Sequence, residues 1–403
     1  MKRKITDTLL NLITYIASGI SVLVLGAIIV YLIGKGGGLL SWDLLNDDYF
    51  AKSFKGTVVE DYNYQVFQEQ TDIEGYYSSK WGIAFVDTLT LNKETVIEIS
   101  YVDPKSPFSN LYSTVAGENQ SLIEVVPTNV ITSLYYYDQN GEKVFLPQTR
   151  MKNAENLVNI LKTDAYEIDS IGFQTLGGGI KGSIIVTLLL ILISVVIALP
   201  IGIGSAIYLN EYSSKNKINH LLKQGIETLT GVPSIIYGLM GITVLFPLTQ
   251  LFGATSTSVL LGSFTLAVIL LPTIIRSTEE ALIVVPQSLR DGSLSLGATK
   301  SQTIFKVVLP SAVNGVLTGV LLSIGRVIGE SAALIYTTST VINDSPKILD
   351  QGTSLALMIW TIMSGEQPNF ELASAISLII LIIVFMLNFI VKLIAKRLTK
   401  SFN

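Results

Sequence analysis

The run GSIIVTLLLILISVVIALPIGIGSAIYLN, Gly182 to Asn210, contains no Asp, Glu, Lys or Arg and is bounded by Lys181 and Glu211. It is longer than the ~20 residues a helix needs to cross the hydrocarbon of a bilayer. Five uncharged stretches of about that length or more occur along the 403 residues. Composition agrees with them: 49% of the chain is hydrophobic and only 14% is charged, against about a quarter charged in an ordinary soluble domain. These numbers place the chain among integral membrane proteins.

Working outward from that run, a first span covers about Leu12 to Ile33, between Asp7 and Lys35 and behind the basic Lys2-Arg3-Lys4. A cleaved signal peptide would have an apolar region of about 7 to 15 residues ending at a small-residue site. This one is longer and runs into Gly34-Lys35-Gly36-Gly37-Gly38, so it reads as an uncleaved anchor. The run quoted above is span two. Thr228 to Ile275 holds two more, separated by Pro247 and the polar stretch Gly253 to Ser258. A fifth begins near Val307 and passes Arg326 and Glu330 to about Tyr336, and a sixth covers Leu372 to Val391. Gln351 to Gly365 is apolar but too short to cross, and reads as an interfacial or re-entrant helix. Pro233 and Pro272 remove hydrogen bonds within spans three and four, as hinges or as packing features.

The basic residues set the orientation. Lys2, Arg3, Lys4, Lys215, Lys217, Lys223, Arg290, Lys300, Lys306, Lys392, Lys396, Arg397 and Lys400 fall on one side, while the short opposite loops hold only Lys347. Both termini are therefore expected in the cytoplasm of a bacterial cell, with the chain multi-pass in the cell membrane. The long piece between spans one and two lies outside. From Lys35 to Lys181, both included, it carries eleven Lys and Arg against twenty Asp and Glu. It is expected to fold as a mainly β domain: β-rich runs at Glu94 to Val102 and Ile131 to Tyr137, a hairpin turn at Asn140-Gly141 and a helix near Asn153 to Leu161. Its consecutive Tyr135, Tyr136 and Tyr137 suit a protein-binding face or half-buried strand positions.

Several chemistries are excluded. The net charge of −4 does not suit a nucleic-acid binder. With no cysteine there is no disulfide, thiolate nucleophile or Cys-ligated metal, and the single His220 rules out a multi-histidine metal site. No Gly-rich run precedes a Lys-Ser or Lys-Thr, so the chain holds no phosphate-binding loop for ATP and is not itself an ATPase.

The loop between spans four and five reads PQSLRDGSLSLGATKSQTIFKVVLP, Pro286 to Pro310. A short helix across the membrane face, a turn at Gly297 where positive φ is inexpensive, and a second turn into span five would make a rigid knob for a partner's groove. Asp291-Gly292-Ser293, then Gly297, then Val307-Val308-Leu309-Pro310 resembles the coupling loop of ABC-importer permeases. Asp stands where that loop usually has Glu, and Gly292 where it has Ala. Gly178-Gly179-Ile180, the run ending Asn210-Glu211-Tyr212, Gly231-Val232-Pro233-Ser234, Arg276-Ser277-Thr278-Glu279-Glu280 and Gly325-Arg326-Val327-Ile328-Gly329-Glu330 further resemble the phosphate-specific permeases of the PstA type.

The resemblance implies an all-α polytopic fold of six spans, the type I ABC importer arrangement, carrying the mainly β (α+β) extracytoplasmic insertion. Expected divisions are residues 1–34, 35–177 and 178–403, with the coupling loop at 286–310. The resemblance further implies half of a pore working by alternating access for inorganic phosphate. Its expected partners are a PstC-like second permease, a PstB-like cytoplasmic ATPase dimer that binds the ATP and Mg, a PstS-like outer phosphate-binding protein, and membrane lipid; no cofactor is expected in the chain itself. A permease for sulfate or molybdate, and a membrane-anchored sensor or scaffold, are the competing readings.

Charges inside spans are the candidate pathway residues. Arg326 and Glu330, four apart, are expected on one helix face as an ion pair, with Arg326 offering a planar donor fork to a phosphate and Glu330 neutralising it between passages. Arg276 joins them as a pathway candidate, with Glu279 and Glu280 as a gate or structural network. Asp291, Gly292, Ser293, Gly297, Leu309 and Pro310 are the coupling candidates.

Overall fold

The computed structural model describes residues 2–58, 66–68, 73–90, 95–114, 121–213, 216–365 and 368–402. They divide into two compact units, one of Met1–Asn46 with Ile180–Asn403 and the other of Asp47–Gly179. The chain enters through α1 (Lys2–Gly36), whose apolar length suits a membrane span, and the short α2 (Trp42–Asn46).

The unit Asp47–Gly179 is built on an antiparallel sheet of β1 (Ser53–Val58), β2 (Tyr76–Ser78), β3 (Ile83–Leu89), β4 (Thr95–Val102), β5 (Asn110–Ser113), β6 (Leu122–Glu124), β7 (Val130–Tyr137), β8 (Lys143–Pro147) and β9 (Glu167–Gln174). Their order is β2-β3-β4-β7-β9-β1-β5-β6, with β8 beside β7. α3 (Gln148–Met151) leads to α4 (Ala154–Thr163), which starts where Asn153 accepts a hydrogen bond from the Asn156 amide at 2.9 Å. Leu157 and Leu161 of α4 pack with Trp81, Phe85, Ile131 and Phe173 in a closed core. The β7–β8 hairpin turns on Gly141 at φ +79°, as its Asn-Gly pair predicts. Tyr136 faces the core, whereas the Tyr135 ring stacks on Phe145 at 4.6 Å and lies 4.4 Å below the Lys55 ammonium. Thr128 holds φ +81° between β6 and β7, an unusual conformation for a β-branched residue, where its amide donates to Ile99 O at 2.9 Å.

Returning to the first unit, α5 (Lys181–Ile207) ends in a π-turn at Tyr208–Tyr212. α6 (Lys217–Thr230) precedes α7 (Ser234–Met240) and α8 (Phe246–Gln250), which are joined by a π-turn. α6 and the α7–α8 segment are bent by 104° at the break before Ser234, so Pro233 ends one helix and begins another rather than kinking a continuous span. α9 (Val259–Val284) contains the buried Pro272 within its length. Then come α10 (Gln287–Ser295), α11 (Lys300–Thr303), a π-turn, α12 (Leu309–Gly329), α13 (Ala332–Thr337), α14 (Leu355–Met363) and α15 (Phe370–Phe402). Five described helical stretches are long and apolar enough to cross a membrane, or up to six if the bent pair is one span.

α5, α9 and α12 form the centre of this unit, through Leu190, Ala198, Leu270, Ile274, Val320 and Ile328. α9 and α12 approach closely because Gly315 and Gly319 face Ala281 and Ser277. α14 is tucked among these helices, with Leu357 and Met358 fully buried and the Leu355 amide bonded to Thr187 Oγ1 at 2.9 Å.

The fifth span does not continue to Tyr336: α12 stops at Gly329, and Glu330 is extended at φ −77°, ψ 125° before α13 begins. The break is stabilised locally, since the buried Glu330 carboxylate accepts the Ala333 amide at 3.2 Å and so caps the next turn.

Candidate functional site

The loop 286–310 forms a clamped knob. Pro286 opens α10, and the Gln287 side-chain amide donates to Asp291 Oδ1 at 3.0 Å. Gly297 follows at φ +85° with nothing within 4 Å of the Cβ it lacks, so glycine is there for its backbone and not for space. The neighbouring Leu296 side chain is 91% exposed at the tip. Thr299 and Gln302 then form a reciprocal capping box that restarts the helix as α11. Ser293 and Thr303 join their hydroxyls at 2.9 Å, tying α10 to α11. Leu309 packs against the cluster of Ile207, Leu282, Val285 and Ile304, and Pro310 sits at the start of α12, directly after the π-turn Ile304–Val308. Gly292 is exposed on α10 with open space around it.

Arg290 is the anchor that the residue pattern alone did not single out. Its guanidinium donates to Glu211 Oε1 at 2.8 Å and to the carbonyls of Val285 at 2.6 Å and Leu282 at 2.9 Å. It thereby binds two carbonyls at the end of α9, that of Leu282 also accepting the Val285 amide, and reaches the π-turn that ends α5. Both members of the pair are largely buried. A cleft of about 790 Å³ opens beside it, lined among others by Asn210, Glu211, Gln287, Arg290 and Lys300. In sequence, Arg290 carries only a topological signal, and Glu211 is the first charge after a span; their meeting needs the third dimension.

The charges within the spans arrange differently from expectation. Arg326 and Glu330 form no ion pair, because the helix ends between them; among the described residues Arg326 has no acidic partner. Arg326 is half-buried and close enough to Tyr237 of α7 to interact with it electrostatically. α7 and α13 meet backbone to backbone, since a Cβ on Gly238 would lie 2.8 Å from Ala333 O. The Tyr237 hydroxyl in turn donates to Leu229 O at 2.8 Å across the 231–233 break. Arg276 bonds Glu227 at 2.8 Å and Glu280 at 3.4 Å, while Glu279 pairs with Lys223. Arg276, Glu279 and Glu280 are thus brought together as a network joining α9 to α6, away from the centre of the span.

Residues 198–402 match the family described as binding-protein-dependent transport system inner membrane component. The chain belongs to this family. It is a permease component, a multi-pass membrane protein of the type I importer fold, and the ATPase of such a system is a separate protein. The unit Asp47–Gly179 lies outside the matched residues. A probable ABC transporter permease protein, YqgI of Bacillus subtilis, is 33% identical over 244 residues, covering 56% of this permease and 82% of that protein. The phosphate transport system permease protein PstA of Pasteurella multocida is 31% identical over 212 residues, covering 52% of this chain and 74% of its own. Among solved structures, an inward-facing MetNI methionine ABC transporter chain is similar at 21% identity and a TM-score of 0.45, over 54% of this chain and 94% of that one.

Proposed function

We propose that this permease is one half of the pore of an ATP-driven importer for inorganic phosphate. The observation that carries the mode of action is the knob at 286–310, whose tip is exposed at Leu296 while its base is held by Arg290 on Glu211. A rigid helix pair anchored to the ends of α5 and α9 passes a push at its tip into two spans at once. Relatives named as phosphate transport permeases support the choice of anion.

In this reading a cytoplasmic ATPase pair of PstB type holds ATP and Mg and docks on Asp291, Gly292, Ser293, Gly297, Leu309 and Pro310. A PstC-like permease completes the pore, and a PstS-like protein delivers phosphate outside. Both termini and the knob are cytoplasmic by the positive-inside rule. Arg326, without an acid partner among the described residues, supplies a forked donor to the passing oxyanion. Glu330 contributes by capping α13, and the Arg276 network holds the inner ends of α6 and α9.

The test is uptake by the complete transporter reconstituted in vesicles, with phosphate, sulfate and molybdate in turn. Phosphate uptake driven by ATP supports the reading. Transport of sulfate or molybdate instead replaces the substrate, and the absence of any flux with a functional ATPase favours a sensor or scaffold.

A further inference from the structure

α6 faces its neighbours with the side that a helix usually turns to water. At about 100° per residue, Ile218, Leu221, Leu222, Gly225 and Leu229 form one continuous stripe, and Lys223 and Glu227 lie on the opposite side. It is Lys223 and Glu227 that meet α9, through Glu279 and Arg276. Ile226, at the edge of the stripe, packs against Leu209 and Ile275. The rest of the stripe points away: Ile218 and Leu221 are 68% and 69% exposed, no residue of α6 is buried, and only at its edge does Leu222 line a cleft with Ile226, Leu209 and Ile275.

The surroundings specify what covers it. α6 turns by 104° into α7–α8, so when α7–α8 crosses a bilayer, α6 runs along the bilayer surface. The helix opens on an Asn216 cap, followed by Lys217 and His220, both exposed and, among the described residues, in no ion pair. An apolar stripe lying parallel to the membrane with a cationic first turn matches an anionic lipid leaflet in both shape and charge. We propose that α6 is an interfacial helix, with its stripe sunk among the acyl chains of the cytoplasmic leaflet and Lys217 at anionic phospholipid headgroups. The ion pairs to α9 hold it there. The choice of leaflet rests on the orientation proposed above; the lipid contact does not.

The natural chain has no cysteine, so single cysteines at Leu221 and His220 give unambiguous spin-label sites in the fully assembled transporter. In vesicles containing phosphatidylglycerol, the label at Leu221 should collide freely with oxygen and poorly with a water-soluble nickel chelate, and the label at the exposed His220, on the side away from the stripe, should do the reverse. A Leu221 label shielded from both would show a protein covering the stripe, and one open to nickel would place it in water; either overturns the proposal. Replacing phosphatidylglycerol by phosphatidylcholine, or introducing Lys217→Glu, should raise nickel access at Leu221 several-fold. No change in either case would overturn the role of anionic headgroups. An impermeant reductant added to intact cells should spare the Leu221 label; rapid reduction would reverse the leaflet and the orientation while leaving the lipid contact standing. None of these readouts depends on phosphate uptake.

Discussion

Arg290 reaches Glu211 across 79 residues of chain, at 2.8 Å, with only 13% and 10% of the two side chains exposed. This one contact joins the coupling loop to the end of α5, and the same guanidinium closes the last turn of α9. A carboxylate this enclosed needs its partner, because an uncompensated charge there is strongly unfavourable.

Arg290→Ala is therefore expected to destabilise the loop by about 3 kcal/mol, in the range for breaking a buried pair. Arg290→Lys should recover only part of this, since one ammonium cannot serve a carboxylate and two carbonyls in the same plane. Thermal unfolding of the purified permease and pull-down of its ATPase measure both effects. Wild-type stability and docking in Arg290→Ala would remove the anchor from this account.

Gly297→Val and Gly292→Ala should move in opposite directions. At φ +85° a β-branched residue is strained by about 1–2 kcal/mol, and the reshaped knob should fail to stimulate the partner ATPase. At Gly292 the space is open and the backbone helical, so alanine should add up to about 1 kcal/mol with uptake retained. Equal effects of the two changes on ATPase stimulation would contradict a turn-specific role.

Because Arg326 and Glu330 do not pair, Arg326→Ala should express and assemble normally while losing most phosphate uptake. Arg326→Lys should also lose uptake, having the charge without the fork. A stability double-mutant cycle between Arg326→Ala and Glu330→Gln should give a coupling below about 0.5 kcal/mol, as for independent sites. A large coupling would restore the ion pair; full uptake by well-assembled Arg326→Ala would end its role as a substrate ligand.

Thr128→Gly should stabilise the Asp47–Gly179 unit by about 1 kcal/mol, because glycine adopts φ +81° without the clash a β-branched residue meets. The readout is the temperature at which a protease first cuts within that unit of the intact protein. A lower temperature than for the parent would show that the threonine hydroxyl contributes more than the strain costs.

A cysteine at Asn140, on the exposed β7–β8 turn, should react with an impermeant thiol reagent on intact cells. Reaction only after lysis would reverse the proposed orientation.

The membrane character, the apolar stretches and the turn at Gly297 are legible in the order of residues alone. Each rests on local chemistry: twenty or so uncharged residues have one stable way to satisfy their backbone in lipid, and positive φ selects glycine. The β7–β8 hairpin and α4 were legible for the same reason, through Asn140-Gly141 and the Asn153 cap. The remaining features depend on burial and on contacts between segments far apart in the chain. Periodicity placed Arg326 and Glu330 on one helix, but the buried Glu330 gains a backbone amide by leaving it, a competition that spacing does not report. Arg290 and Glu211 look like two loop charges until α5 and α9 bring their ends together. In sequence the residues of α6 up to Thr228 belong to a basic loop before span three; the direction of α6 is set by the break before Ser234 and by the ion pairs to Arg276 and Glu279, which hold its polar side on α9 and leave its apolar stripe facing outward.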